Sequence, residues 1–287
     1  MNGPMRPCRA RIRSRIRRGR LALAAAMAFA SVGAPGDAAS AADNGASAFP
    51  VYDNTFYRNV DLERVGAVKS NVIYEAPVAQ LAGQNPNNFR GARPAGAELA
   101  LPSRAAYEAF VRKTAMHPGP VVLDFETLYL KGPRSVAERR YRKLRTLLDW
   151  AHSAVPGRTV GYYGVLGNTS PSYFKLERKL AVHEEALFPS LYTFSDNRSA
   201  WLARFKQIMS EAASVAPGKP VYAYLWPQYH GGTKNAGRYL TPDHWNYELT
   251  KAQQLCSGVV IWSPWTDALD QSWVNATATF LETQVTA

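Results

Sequence analysis

Cysteine is nearly absent: the 287 residues hold two, Cys8 and Cys256. Cys8 lies in an N-terminal stretch that reads as removable, which leaves Cys256 alone and excludes an internal disulfide framework. Histidine is sparse as well. The five histidines (His117, His152, His183, His230, His244) show no metal-ligand spacing, and all but His230, which follows a strand end, read as surface or supporting residues. No glycine-rich phosphate loop follows the first strand, and no Walker loop or Gly-x-Ser-x-Gly elbow occurs anywhere. Nucleotide chemistry and serine-hydrolase chemistry are therefore not indicated, and no cofactor or metal is expected. Long apolar runs are missing as well, since the longest extends only from Leu21 to Val32. That is short of the ~20 residues a membrane-spanning helix needs.

Acidic residues are also outnumbered, with 22 Asp and Glu against 34 Lys and Arg and a formal net charge of +12. The excess is concentrated at the start: eight arginines (Arg6, Arg9, Arg11, Arg13, Arg15, Arg17, Arg18, Arg20) precede the apolar run, and the small-residue triplet Ala39-Ser40-Ala41 follows it. This order is that of an export signal, so residues 1–41 are read as a signal peptide cleaved near Ala41. Residues 42–48 are read as a flexible tail, and residues 49–287 as a single domain that is periplasmic or extracellular. Without the signal the net charge falls to about +5, which suits an anionic substrate without requiring one. The run Arg139, Arg140, Arg142, Lys143, Arg145 falls on a helical repeat and reads as a solvated outer face rather than a nucleic-acid site.

What the chain has in abundance is hydrophobic residues, 46% of the whole, enough for one large core. Short aliphatic and aromatic runs recur at Phe49–Tyr52, Asn71–Glu75, Val121–Glu126, Thr159–Tyr163, Leu187–Tyr192, Val221–Leu225 and Val259–Trp262. Continuous apolar runs of this length fit strands buried on both faces of a parallel sheet. Between them the period changes to 3.6. Leu144, Leu147, Leu148 and Ala151 share one helical face, as do Trp201, Phe205, Ile208 and Ala212, and Thr241-Pro242-Asp243 opens a helix burying Trp245, Leu249 and Ala252. The alternation predicts an α/β fold, a (β/α) barrel of seven or eight strands. Residues 84–102, rich in Pro, Gly and Asn, read as a long rim loop that helps wall a cleft.

In such a barrel the working residues stand at the C-terminal ends of strands. Asp124 and Glu126 end the run Val121-Val122-Leu123, two apart and therefore on one face, roughly 7 Å apart along the strand. Two such carboxyls repel when both are ionised, so one is expected to hold a proton near neutral pH, as a general acid requires. A strand-end pair serving salt bridges or a helix cap is the plain alternative. The other strand ends carry Tyr162 and Tyr163, Ser190 and Tyr192, Tyr222, Tyr224 and Trp226, then Trp262, Ser263 and Trp265. Aromatic faces with a few hydroxyls suit sugar rings; any one ring alone is more often simple core, but aromatics finishing four successive strands around a carboxylate pair point to a site.

These strand ends resemble the hyaluronidases of glycoside hydrolase family 56. The resemblance rests on Asp124-Phe125-Glu126, Gly161-Tyr162-Tyr163-Gly164, Leu187-Phe188-Pro189-Ser190-Leu191-Tyr192, Pro220-Val221-Tyr222-Ala223-Tyr224 and Gly258-Val259-Val260-Ile261-Trp262-Ser263-Pro264-Trp265, in that order, and spans roughly residues 49–273. It implies a distorted TIM-like barrel and a retaining, substrate-assisted hydrolysis of N-acetylhexosaminide bonds in a polysaccharide such as a glycosaminoglycan. It further implies that Glu126 is the acid and then the base, and that Asp124 orients the acetamido N–H and keeps Glu126 protonated. Tyr163 and Tyr192 would hold the acetamido group, Trp262 would wall it, and Ser190 and Tyr224 would lie near the same pocket. The sequence departs from the family in lacking its disulfides, in the short link from Leu128 to Arg134, and in His230, which stands where the family has an acidic residue. A barrel that binds glycans without cutting them, and a hydrolase of chitin-like or cell-wall N-acetylglucosamine polymers, are the alternatives.

Overall fold

The computed structural model describes residues 49–91 and 93–285, so the expected signal peptide and tail lie outside the described residues. Strand β1 (Val51–Asn54) pairs in parallel with β2 (Val68–Lys69) and with β7 (Gly258–Trp262), and β7 pairs with β6 (Tyr222–Leu225). A second parallel ladder joins β3 (Asn71–Tyr74), β4 (Val121–Asp124) and β5 (Val160–Tyr162), with Ile73 opposite Leu123 and Val121 opposite Val160.

The two ladders meet on both sides. Only Ser70 separates β2 from β3, and its N–H donates to the Asp53 carbonyl at 2.9 Å, so one extended stretch leaves β1 and continues beside β4. On the other side the run expected as a strand at Leu187–Tyr192 makes only isolated parallel bridges, Tyr163 with Phe188 toward β5, and Leu187 with Val221 and Ser190 with Tyr224 toward β6. Pro189 supplies a physical reason, because it has no N–H to donate to a ladder. The result is a TIM-like barrel with an interrupted seam. Gly161 is needed at that seam: a Cβ there would lie 2.0 Å from the Ala186 carbonyl oxygen.

Helices α1 (Glu75–Leu81), α2 (Arg104–Thr114), α3 (Arg134–Ala154), α4 (Phe174–Ala181), α5 (Arg198–Val215), α6 (Pro242–Leu255) and α7 (Ser272–Val285) fill the connections. The first connection departs from the expected alternation, since β1 reaches β2 through a 3₁₀ turn at Glu63–Val65 and no α-helix. Odd and even strand residues divide as a barrel demands. Val122, Tyr224 and Val260 turn inward, whereas Val121, Leu123, Val259 and Ile261 pack outward against helices. On α3 the stripe Leu144, Leu147, Leu148, Ala151 is completely buried, each leucine contributing about 1.5–3 kcal/mol. Helix α6 begins as expected, with Thr241 Oγ1 accepting from the His244 N–H at 3.2 Å. No helix among the described residues is long and apolar enough to cross a membrane.

The basic run on α3 is not merely solvated. Arg139, Arg140 and Lys143 all converge on Glu98, at 2.8, 3.1 and 2.7 Å, and hold its carboxyl down at about 2. This clamp ties the base of the rim loop to α3. Of the histidines read as surface or supporting residues, His244 takes a supporting place, buried beside Glu248 at 3.4 Å.

Cys256 follows α6, where its thiol donates to the carbonyls of Ala252 and Gly258 at 3.2 Å, and burial pushes it up to about 11. A thiol held protonated in this way is a packing group. Cys256→Ala should cost about 1 kcal/mol of stability and leave turnover per folded molecule unchanged. Urea unfolding beside an activity assay checks this, and lost turnover in a folded variant would count against it.

Candidate active site

At the C-terminal ends of β1, β3, β4 and β7 lies a cleft of about 650 Å³. Asp124 and Glu126 line it together with Glu75, Arg93 and the rings of Phe56, Tyr74, Phe89, Trp262 and Trp265. The β4 ladder stops at Asp124, and Glu126 opens a 3₁₀ turn (Glu126–Leu128). Even so, the alternation runs two residues further. Phe125 is buried in the outer core against Tyr162, which sends the side chains on either side of it into the cleft.

Asp124 is the more deeply sheltered of the two carboxyls. Its Oδ1 is sheltered from solvent and accepts no hydrogen bond among the described residues. Loss of solvent, then the nearby carboxyls of Glu126 and Glu75, push it well above the usual carboxylate range, while the Arg93 guanidinium opposes them. Glu126 instead takes a hydrogen bond from Arg93 Nη2 at 2.9 Å.

Glu75, at the first turn of α1, is a third carboxyl in the cleft that sequence reasoning did not single out. Its oxygens accept from the Thr127 N–H at 3.2 and 3.3 Å and from the Thr127 hydroxyl, and burial raises it to about 7. It sits at the end of a predicted strand, so the rule that selected Asp124 and Glu126 would have found it. Arg93 had no such signal, because it lies in a loop without periodicity. That loop does wall the cleft, as expected of residues 84–102. Its base is fixed by Leu99 N–H to Thr127 Oγ1 at 3.0 Å and by Gln84 to the Glu98 carbonyl at 3.1 Å.

Of the other expected site residues, Trp262 lines the cleft, while Tyr163, Tyr192, Ser190 and Tyr224 do not. They form an adjoining aromatic layer inside the barrel. Tyr163 packs on Tyr224 at 4.8 Å and on Tyr192 at 6.3 Å, and its phenol faces Ser190. Tyr192 reaches Trp262 at 5.8 Å and stacks on His230 at 5.6 Å, so the layer is continuous with the cleft through Trp262. Tyr224 is buried and its hydroxyl has no hydrogen bond within the described residues. Toward solvent, Trp265 stacks on Phe56 at 4.3 Å and is 79% exposed. Within the described residues no group of three or more His, Cys, Asp or Glu could hold a metal ion.

Bee venom hyaluronidase has the same fold. Its monoclinic crystal structure superposes over 83% of this chain and 98% of the hyaluronidase, with 16% identity and a TM-score of 0.52. Its complex with a hyaluronic acid tetramer gives 82%, 95%, 16% and 0.53. The glycoside hydrolase domain of PelA from Pseudomonas aeruginosa aligns more loosely, covering 77% of this chain and 96% of that domain at 16% identity and a TM-score of 0.45. No protein-family model and no curated protein sequence matches the chain.

Proposed function

We propose that this chain is an exported glycoside hydrolase that cleaves N-acetylhexosaminide bonds in a polysaccharide. The observation that carries the reading is the meeting of Asp124 and Glu126 at the end of one barrel strand, in a cleft walled by five aromatic rings. The cleft is of the size and character that hold a sugar ring against aromatic faces. The hyaluronidase fold supports the same reading, since one neighbour holds a hyaluronic acid tetramer.

In this reading Glu126 gives its proton to the glycosidic oxygen as the bond to the anomeric carbon breaks. The substrate's own acetamido oxygen bonds to that carbon, Asp124 orients the acetamido N–H, and water then opens the cyclic intermediate as Glu126 takes back a proton. Glu75 is a poor candidate for a protein nucleophile because its oxygens already accept from Thr127. Trp262 forms the wall of the acetamido pocket, with Tyr163 and Tyr192 behind it and Ser190 and Tyr224 supporting them. The basic, apolar and small-residue order of residues 1–41 supports export, with the mature chain starting near Ala42.

A second reading, a barrel that binds glycans without cutting them, gains support from the Arg93–Glu126 pair, which occupies the acid. Incubation with hyaluronan, chondroitin, chitin oligosaccharides and peptidoglycan, followed by product analysis, separates the two. The hydrolase should release oligosaccharides ending in a reducing N-acetylhexosamine from at least one polymer. Binding to one polymer with no product from any would establish the binder.

A further inference from the structure

Arg93 is poorly satisfied where it stands. Its Nη2 donates to Glu126 Oε1 at 2.9 Å, and its Nε lies 3.7 Å from Glu75 Oε2. That Nε is sheltered from solvent and has no hydrogen-bond partner among the described residues. The two-point fork in which guanidinium and carboxylate pair most strongly is therefore formed with neither glutamate. Arg90, three residues earlier, lines the same cleft wall, and its side chain makes no hydrogen bond or ion pair within the described residues.

The Arg93 contact also conflicts with the task of Glu126. A guanidinium has only donors and pairs with a carboxylate, whereas a general acid must turn an O–H toward the leaving oxygen. Arg93 must come away before the glycosidic bond can be protonated. Sugar hydroxyls are weak competitors for a guanidinium that already has a carboxylate. A sugar carboxylate is an equal competitor and can take up the fork that Glu126 leaves unformed.

We infer that Arg93 is the specificity-determining residue of the cleft, exchanging Glu126 for the carboxylate of a uronate-bearing glycan and thereby releasing Glu126 to act as the acid. The inference rests on the hydrolase reading above. The exchange is balanced: the guanidinium keeps its charge and passes from one carboxylate to another, and the freed Glu126 takes up one proton from hydronium or buffer acid, so each bound uronate brings one proton into the cleft. Arg90 offers a second cation to the next carboxylate of a repeating polymer. A neutral glycan with the same linkages still packs against the aromatic wall but leaves Glu126 paired, so the substrate's charge acts on kcat more than on KM.

The test uses hyaluronan oligosaccharides and the same oligosaccharides with their carboxyl groups reduced to primary alcohols, on the wild type, Arg93→Gln and Arg93→Lys. Wild type should turn over the charged substrate faster in kcat by about tenfold or more, the value of a charge-assisted contact. Arg93→Gln should shrink that preference to within about twofold, and Arg93→Lys, which keeps the charge without the fork, should restore part of it. Equal kcat on both substrates for wild type, or an intact preference in Arg93→Gln, would overturn the role of Arg93 and leave the hydrolase standing. If wild type cuts neither substrate nor any other glycan, the hydrolase reading falls and takes this inference with it. Should Arg93→Gln fail to fold, the wild-type comparison and Arg93→Lys still decide.

Discussion

Glu126→Gln should cut the rate of glycan cleavage by about 10²- to 10⁴-fold while leaving glycan affinity within a few fold, the range expected when a general acid loses its proton. The substitution keeps side-chain shape, and Glu126 is half-buried at the cleft wall with no part in the core. Folding should be undisturbed. The measurement pairs initial cleavage rates with direct binding on the same preparation. A pair that served only to anchor Arg93 would show altered affinity and little change in turnover per bound substrate. Full activity in Glu126→Gln would remove the acid assignment and with it the proposed mechanism.

The second expected result concerns stability. Wild type should lose roughly 2 kcal/mol of stability as pH rises from 7 to 9, and Glu177→Gln should flatten that slope and be the more stable protein at pH 9. Glu177 on α4 is buried, and neither carboxyl oxygen has a hydrogen-bond partner among the described residues. Burial first, then the neighbouring carboxyls of Glu211 and Glu184, push it up to about 9. An unfolded chain ionises this group near its ordinary value of 4.5. Between those two values the unfolded state has released a proton that the folded state still holds, and folding loses up to about 1.4 kcal/mol per pH unit. Glu75 and Glu184, both raised to about 7, act in the same direction but only below that pH. Asp124, Glu211 and Glu248 are raised as well and add to the wild-type slope in the same direction, so it is the difference between wild type and Glu177→Gln above pH 7 that reads Glu177. Urea unfolding at pH 5, 7 and 9 gives the slopes, and parallel lines for the two proteins above pH 7 would rule the account out.

The sequence was most legible where apolar periodicity was unbroken. Val121-Val122-Leu123 and Gly258-Val259-Val260-Ile261 have no competing reading, and both are strands. The run Leu187–Tyr192 has the same composition but is a chain of single bridges, because the missing N–H of Pro189 and the close approach at Gly161 are properties of pairing rather than of residue type. Asp124 and Glu126 could be read because they terminate such a run. The aromatic residues were readable only as a group: Trp262 reaches the cleft and Tyr224 does not, a difference of depth that strand-end position does not encode. Arg93 and the Glu98 clamp were invisible, since both depend on where an irregular loop is carried by distant partners on α3 and in the turn after β4.

The interrupted seam has a consequence for how the protein meets other chains. A parallel strand that loses its neighbour ordinarily leaves a row of unpaired N–H groups, a template onto which a foreign strand can add. On β5 those groups are occupied by side chains: the Val160 N–H donates to Glu185 at 3.0 Å and the Tyr162 N–H to Glu184 at 2.7 Å. Carboxyl groups thus stand in for the carbonyls of a missing partner and put side-chain bulk where an invading backbone would dock. The edge without a continuous ladder is thereby closed by the chain's own side chains and single bridges rather than by a neighbouring strand.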